Sequence, residues 1–224
     1  MLCHQGTEAA DLRNHQRVSV PNIYMGIEVQ YRRLSKAEFD RICRDPKQRK
    51  DFTAPNIPGF DLDELMKLAS DPQALQAKGP EIAAAFQRGR EDPTRANLDK
   101  EWHALHFLLT GDSSMDTKHH AKGPLHNVVM GGRKTKISTG YGPARMLSAE
   151  DVRAIAEALG QISVDDLRGR FSAEEFNAAD IYPNPQPGGW SVEEIEGVFH
   201  LYPPLVTFFQ QAAKAGEIVV VYAT

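Results

Sequence analysis

The chain has 224 residues, of which 41% are hydrophobic, and its 26 basic and 30 acidic side chains give a formal net charge of −4. This is the composition of a globular domain and excludes collagenous and disordered chains. The acidic excess gives no general attraction to nucleic acid or to anionic lipid, so neither is expected as a partner. No apolar run is long enough to cross a bilayer, and Cys3 and Cys43 cannot build a disulfide framework. We therefore expect a soluble cytoplasmic protein.

The first 24 residues differ from the rest because they mix histidine, arginine, asparagine and glutamine with few apolar positions and no periodicity. They also lack the apolar stretch of a secretory signal. We interpret residues 1–24 as a disordered or loosely attached arm, or as sequence upstream of a true start at Met25. Residues 25–224 are then expected to form one domain.

From Met25 onward the sequence predicts a strand followed by many helices. Ile27, Val29 and Tyr31 share one face of an alternating pattern that is typical of a strand. Helix starts are indicated where Ser or Asp precedes an acidic residue by three positions, since the pair can cap the free amides of a first turn. Six places fit: Ser35 with Glu38, Asp61 with Glu64, Ser148 with Asp151, Ser163 with Asp166, Ser172 with Glu175, and Ser191 with Glu194.

Prolines and glycines indicate where these helices end. Asp45-Pro46 should end the first helix, because the residue before proline resists the helical conformation. Pro80 is expected to open a helix over residues 81–88, and Pro203-Pro204 to break or bend the last helical pattern. Three glycines that follow apolar-periodic runs are expected as left-handed caps, namely Gly89, Gly160 and Gly216.

The remaining elements predict the fold class. Residues 217–223 contain a nearly continuous valine run and should form a strand that is buried on both faces. Weaker strand candidates are residues 127–130 and 136–146, and the polar stretches 111–123 and 184–189 are expected to be loops. The sequence therefore predicts an α+β fold, a single helix-rich domain packed around a small mixed sheet.

Residues 98–111 form the most informative segment. At about 100° per residue, Leu98, Trp102, Leu105 and Leu109 lie within roughly one sixth of a helical turn, so this helix should be central and mostly buried. Asp99, His103 and His106 share the remaining face.

Two interpretations of that polar face are open. In the first, Asp99 and both imidazoles form a metal or general-base site, with further ligands from His119, His120, His126 or Asp180. In the second, His106 borders the core and bonds a backbone carbonyl or Asp99, while His103 faces solvent. The spacing lacks the four-residue step and the glutamate of a zinc-protease helix, which favours the structural interpretation and predicts no metal.

Other motifs indicate structure before chemistry. Residues 131–136 place two glycines beside cations that could hold a phosphate, but the order of a P-loop is absent and an exposed turn is favoured. Residues 140–145 are typical of a tight turn that leads into a strand. Cys43 fits a small core residue, and no Gly-x-Ser-x-Gly motif occurs. No motif implies a cofactor.

Several segments together resemble the YfbM-like family, a bacterial domain family of unknown function. They occur in order along residues 25–224: Met25-Gly26, Leu98-Asp99-Lys100, Trp102, Leu105-His106-Phe107, Leu109-Thr110-Gly111, Gly123-Pro124-Leu125, Gly140-Tyr141-Gly142-Pro143-Ala144-Arg145 and Ala179-Asp180-Ile181-Tyr182-Pro183. The resemblance implies one compact α+β domain with a native start near Met25. It brings no catalytic residues, because none is established for the family.

Three hypotheses about function follow, and whether the chain is an enzyme stays open. The first is a non-enzymatic module that binds a protein or small ligand, with the polar and aromatic residues of these segments as candidates: Trp102, His106, Tyr141, Arg145, Asp180 and Tyr182. The same residues have a structural interpretation, in which Trp102 fills the core and Asp180 pairs with Arg145. The second hypothesis is a metal-dependent hydrolase that uses Asp99, His103 and His106. The third is a structural component of an oligomer.

Overall fold

The structure is a computed structural model, and it describes residues 26–114, 122–129, 131–185 and 187–224. Its strands are β1 (Val29–Leu34), β2 (Arg95–Asn97), β3 (Arg133–Thr139), β4 (Gly142–Leu147) and β5 (Ile218–Ala223). Its helices are α1 (Lys36–Arg44), α2 (Pro46–Asp51), α3 (Leu62–Ala69), α4 (Pro72–Arg90), α5 (Trp102–Thr110), α6 (Pro124–Val128), α7 (Ala149–Gly160), α8 (Val164–Gly169), α9 (Ala173–Ala178) and α10 (Val192–Ala215). The predicted arm and Met25 lie outside the described residues, so the boundary at Met25 stays a prediction.

All six predicted helix starts are confirmed. At each one, the Ser or Asp side chain accepts a hydrogen bond from the backbone amide of the acidic residue three positions later. At Ser148 and Ser163 the acid also reaches back to the cap residue's amide, which completes a reciprocal capping box. Each cap contributes about 1 kcal/mol of stability, so these starts are fixed locally by the sequence.

The prolines behave as predicted at only one place. Asp45-Pro46 separates α1 from α2, as expected. Pro80 instead lies inside α4, and Pro203 and Pro204 lie inside an unbroken α10. All three rings are exposed. Helix α10 buries eight apolar side chains along its other face, so its tertiary packing outweighs the backbone bonds that Pro203 and Pro204 remove.

Of the three glycines predicted as left-handed caps, one is confirmed. Gly216 has φ +67° and ends α10. Gly160 is the last residue of α7, whose cap is Gln161 in a right-handed conformation. Gly89 lies within α4 and does not cap it. Its missing side chain lets the backbone of Asn56 come close to the helix.

The five strands form one sheet in the order β2-β1-β5-β4-β3. Every pairing among the described strands is antiparallel, so the α+β class is confirmed while the sheet is antiparallel and not mixed. The predicted strand region 136–146 lies within the β3–β4 hairpin. Gly140 and Tyr141 form its turn, and a connection of two residues is too short to join parallel strands. The strand predicted at 127–130 is wrong, because 124–128 is the short helix α6 that opens with Pro124 at its first position; Met130 lies outside the described residues.

The central strand β5 is buried at every position, as predicted, because the sheet is covered on both faces. Val219 and Val221 belong to the larger core with α5, α7 and α10, and Val220 and Tyr222 belong to a smaller core under α1. In the described part of the chain, no helix is both long enough and apolar enough to cross a membrane. Strands β1 and β2 form one edge of the sheet, and the candidate site lies beside that edge.

Candidate functional site

Helix α5 is central and mostly buried, as predicted, but Asp99 does not share its face. The helix begins at Trp102, and Asp99 precedes it in a turn with φ +46°. The Asp99 carboxylate accepts a hydrogen bond from Asn97 Nδ2 at 2.7 Å, and its amide donates to Asn97 Oδ1 at 2.8 Å. The expected row of one carboxylate and two imidazoles on a single helix face is therefore wrong.

His103 is buried and bonded at both ring nitrogens, so the expectation that it faces solvent is also wrong. Its Nδ1 accepts from the backbone amide of Tyr182 at 3.1 Å, and its Nε2 lies 2.9 Å from the carbonyl oxygen of Ser113. These partners assign the proton to Nε2 in a neutral ring. Burial lowers the pKa of His103, against the opposing effects of the Ser113 carbonyl and the Asp180 charge.

His106 is fully buried and contacts His126 edge to face, with ring centroids 5.8 Å apart. His126 Nε2 lies 3.7 Å from the carboxylate of Asp112, whose pKa is held at about 2, chiefly by the hydrogen bond from Lys122. Even so, no three His, Cys, Asp or Glu side chains within 26–114, 122–129, 131–185 and 187–224 are arranged to hold a metal ion. Two of the candidate ligands, His119 and His120, lie outside those residues.

Trp102 and Tyr182 are brought together and bond both backbone polar groups of one residue, Ile27. Their rings stack with centroids 5.4 Å apart. Trp102 Nε1 donates to the Ile27 carbonyl at 2.8 Å, and the Ile27 amide donates to the Tyr182 hydroxyl at 2.9 Å. We call these two bonds the Ile27 clamp. Asp180 lies two residues before Tyr182 with φ +49°, and its carboxylate accepts from Asn184 Nδ2 at 2.6 Å.

The other two predicted binding residues lie in the β3–β4 hairpin. Tyr141 is 53% exposed in the hairpin turn. Arg145 is buried on β4, opposite Val221, and its Nε donates to the Gly131 carbonyl at 3.2 Å. The interpretation that Asp180 pairs with Arg145 is wrong, since the carboxylate of Asp180 bonds Asn184 within the described structure. A ligand-binding role for the six predicted residues stays a prediction.

The burial of His103 predicts a pH dependence of stability. Its folded-state pKa lies below the ordinary 6.5, so the unfolded chain takes up the proton first as the pH falls. The stabilisation is complete above the ordinary pKa and is lost as the pH falls from there towards the folded-state pKa. Unfolding by urea at a series of pH values from neutral to mildly acidic should show this decline, and His103→Gln should flatten it.

Glu101 also contributes to the pH dependence of stability, and its contribution has the opposite sign. Burial raises the pKa of its carboxyl, which acts in the opposite direction and favours the folded state as the pH falls. The difference between wild type and His103→Gln isolates the imidazole from this carboxyl. Parallel pH profiles for the two proteins would contradict the assignment of His103.

A cleft that the sequence analysis missed lies along the outer edge of β2. It has a volume of about 700 Å³ and is enclosed by α4, α10, the segment after α2 and the start of β1. Its apolar lining comes from Ala96, Leu201, Pro204 and Leu205, and from Phe86, whose ring is 47% exposed. Most of the remaining lining is polar or charged, and a volume between about 300 and 1,000 Å³ is typical of small-molecule sites.

The polar side chains of the cleft separate by charge along β2. At one end, Asn97 Nδ2 lies between the carboxylates of Asp99, at 2.7 Å, and Glu28, at 3.5 Å. At the other end, Arg90 and Arg95 line the cleft. Arg95 and Asn97 are two residues apart on one strand, which separates the two ends by about 6 to 7 Å. The cleft therefore has an acidic end and a basic end.

The basic end is held by a network around Asp92. Asn56 Nδ2 donates to the Gly89 carbonyl at 3.0 Å and to Asp92 at 3.2 Å, while Arg95 Nε lies 3.7 Å from the same carboxylate. Burial would raise the pKa of Asp92, but hydrogen bonds from Thr94 and Asn56 and the charge of Arg95 outweigh it and hold the pKa below its usual range. The carboxylate stays charged and fixes the wall that Asn56 forms.

The acidic end is held by the Ile27 clamp. Both polar groups of Ile27 are bonded, and the next residue is Glu28, which lines the cleft and pairs its backbone with Thr224. Trp102 and Tyr182, which the sequence analysis singled out, thus position the strand that carries Glu28. No sequence motif indicates the cleft itself, because its lining comes from six separate segments of the chain.

Comparisons with known proteins agree with this architecture. The model of the family described as Domain of unknown function (DUF1877) matches residues 25–222. Protein YfbM of Escherichia coli (strain K12) is 31% identical over 103 residues, which are 46% of this chain and 58% of YfbM. The crystal structure of YfbM from Escherichia coli, a protein of unknown function, matches with a TM-score of 0.50 and 16% identity over 88% of this chain and 99% of that one. At this identity the structural likeness shows the fold alone.

Proposed function

Since this chain belongs to the DUF1877 family of YfbM-like domains, whose function is unknown, we propose a function from its own geometry. The protein is a cytoplasmic, non-enzymatic binding module whose cleft beside β2 holds a small dipolar ligand with an apolar body. Neither nucleic acid nor a membrane surface is its partner. The observation that carries the proposal is one cleft with an apolar lining, an acidic end and a basic end.

The chemistry of the lining favours a ligand that carries an amine, a carboxylate and an apolar group. Glu28 and Asp99 are acceptors for a cationic group, and Arg90 is an exposed donor for an anionic group. Phe86 offers an exposed aromatic ring, and Leu201 and Leu205 offer apolar surface in the same cleft. An α-amino acid with an aromatic side chain has all three features.

The hydrolase alternative lacks such support. Asp99 is bonded to Asn97, and both nitrogens of His103 are occupied by backbone groups. His106 is fully buried. A hydrolase built on these residues needs an imidazole within hydrogen-bond reach of its substrate, and both imidazoles are buried.

Calorimetric titration with three related probes tests the proposal. The probes are phenylalanine, phenethylamine, which lacks the carboxylate, and 3-phenylpropionate, which lacks the amine. We expect phenylalanine to bind most tightly, and loss of either charged group to weaken binding by about tenfold, as expected for one charge-assisted hydrogen bond. Glu28→Gln should weaken phenylalanine and phenethylamine but leave 3-phenylpropionate unchanged.

Two matched variants locate the binding. Phe86→Ala removes the aromatic face of the cleft and should weaken all three probes. Met66→Ala removes a side chain that is exposed on α3, away from the cleft lining, and should leave the affinities as they are. Equal effects of the two variants, or no binding of any probe to the wild type, would contradict the proposal.

A further inference from the structure

A second concave surface lies at the opposite edge of the sheet, between α1 and the edge strand β3. It is a groove of about 560 Å³ whose floor includes Phe39, Cys43 and Met146. Four cationic side chains line it, one from α1 and three from β3, namely Arg44, Arg133, Lys134 and Lys136. These cations belong to segments separated by nearly ninety positions in the sequence, and the fold brings them to one groove.

The four cations form an uncompensated positive charge. All four are exposed, and none has an ion-pair partner among the residues that the structure describes. The acidic side chain of the groove is Asp40, and its carboxylate is already paired with Lys36 Nζ at 2.5 Å. A chain with a net charge of −4 thus carries a local concentration of positive charge at this groove.

From this arrangement we infer that the groove between α1 and β3 binds a small molecule with several linked phosphate groups. Lysines on an edge strand are a common protection against strand pairing, which accounts for Lys134 and Lys136. It does not account for Arg44, which lies on the facing helix and lines the same groove. Phosphate oxygens accept hydrogen bonds from guanidinium and ammonium groups together, and a groove of this volume has the size of a small-molecule site.

The test uses inorganic tripolyphosphate as the probe in calorimetric titration at physiological salt. The double variant Lys134→Gln, Lys136→Gln should weaken its binding by at least about tenfold, because two charge-assisted contacts are lost. The matched control Arg153→Gln, Lys214→Gln removes two exposed cations from α7 and α10, neither of which lines the groove, and changes the net charge equally. It should bind like the wild type.

Cys43 gives an independent report of location. Its thiol lines the groove, so bound tripolyphosphate should slow the alkylation of Cys43 by iodoacetamide, followed on the Cys43 peptide by mass spectrometry. The reaction is run at alkaline pH, because burial raises the pKa of this thiol. Slowing that disappears in Lys134→Gln, Lys136→Gln but persists in the control variant supports the site.

Four results would overturn the inference. They are no tripolyphosphate binding to the wild type, equal weakening in both double variants, unchanged alkylation of Cys43 in the saturated complex, and binding of heparin or duplex DNA without binding of tripolyphosphate. Absence of binding would mean that the groove is not a phosphate site, and equal weakening would mean that only the net charge of the protein matters. Unchanged alkylation would place the ligand elsewhere on the protein. Binding of heparin or DNA alone would mean that the groove binds a polyanionic polymer.

Discussion

Replacing Gly89 with alanine should lower the free energy of unfolding by about 2 to 4 kcal/mol, a large effect for one methyl group. A Cβ at this position would lie 1.7 Å from the Asn56 carbonyl oxygen and 2.8 Å from its carbon, and both are backbone atoms that no rotamer change can move. The segment that carries Asn56 must therefore shift away from α4. Equilibrium unfolding in urea measures the loss.

Gly79 is the matched control because it lies in the same helix. A Cβ at Gly79 would have no heavy atom within 4 Å, so Gly79→Ala should stabilise the protein by about 0.5 to 1 kcal/mol through helix propensity. Similar effects of the two substitutions would show that the contact between Gly89 and Asn56 is not rigid. A shift of Asn56 should also weaken ligand binding, since this residue lines the cleft.

The elements that the sequence predicts well are those whose determinants are local. Each of the six caps needs only a side chain and an amide three positions later, and all six form. The buried strand β5 is also predicted correctly, because a continuous run of β-branched residues is typical of a strand that is covered on both faces. Short stretches of sequence are therefore enough to predict these features.

The predictions that fail are those in which distant packing decides. Pro203 and Pro204 remain in α10 because the helix is held by its buried face, and no window of sequence around the prolines reveals that face's partners. Gly89 has the same local sequence pattern as a cap, yet its role is set by Asn56, 33 positions away. Asp99 does not share a helix face with His103 and His106, because its carboxylate accepts a hydrogen bond from Asn97 and its backbone forms a turn before α5 begins.

The candidate site follows the same rule. Periodicity correctly identified α5 as central, and therefore found Trp102 and its neighbours, which are part of the cleft's support. The lining side chains, such as Phe86 and Glu28, are single residues from separate elements and share no spacing that sequence could show. A binding site made from six segments becomes visible only when the fold places those segments side by side.

Trp102→Ala should have the largest effect of any single substitution considered, about 3 to 5 kcal/mol, because it removes a buried aromatic side chain. It also removes the hydrogen bond to the Ile27 carbonyl and the stack with Tyr182. Tyr141→Ala removes another aromatic residue of the predicted set, but an exposed one, and should change stability by no more than about 0.5 kcal/mol.

A double-mutant cycle separates the Ile27 clamp from simple loss of volume. Trp102→Phe and Tyr182→Phe each remove one hydrogen bond to the Ile27 backbone and keep an aromatic ring. Because both bonds hold the same residue and the two rings stack on each other, the two substitutions should be coupled by about 0.5 kcal/mol or more in stability. Both should also weaken phenylalanine binding, since Ile27 positions Glu28 at the acidic end of the cleft. Additive stabilities with unchanged phenylalanine affinity would mean that the stacked rings fill the core without positioning the cleft.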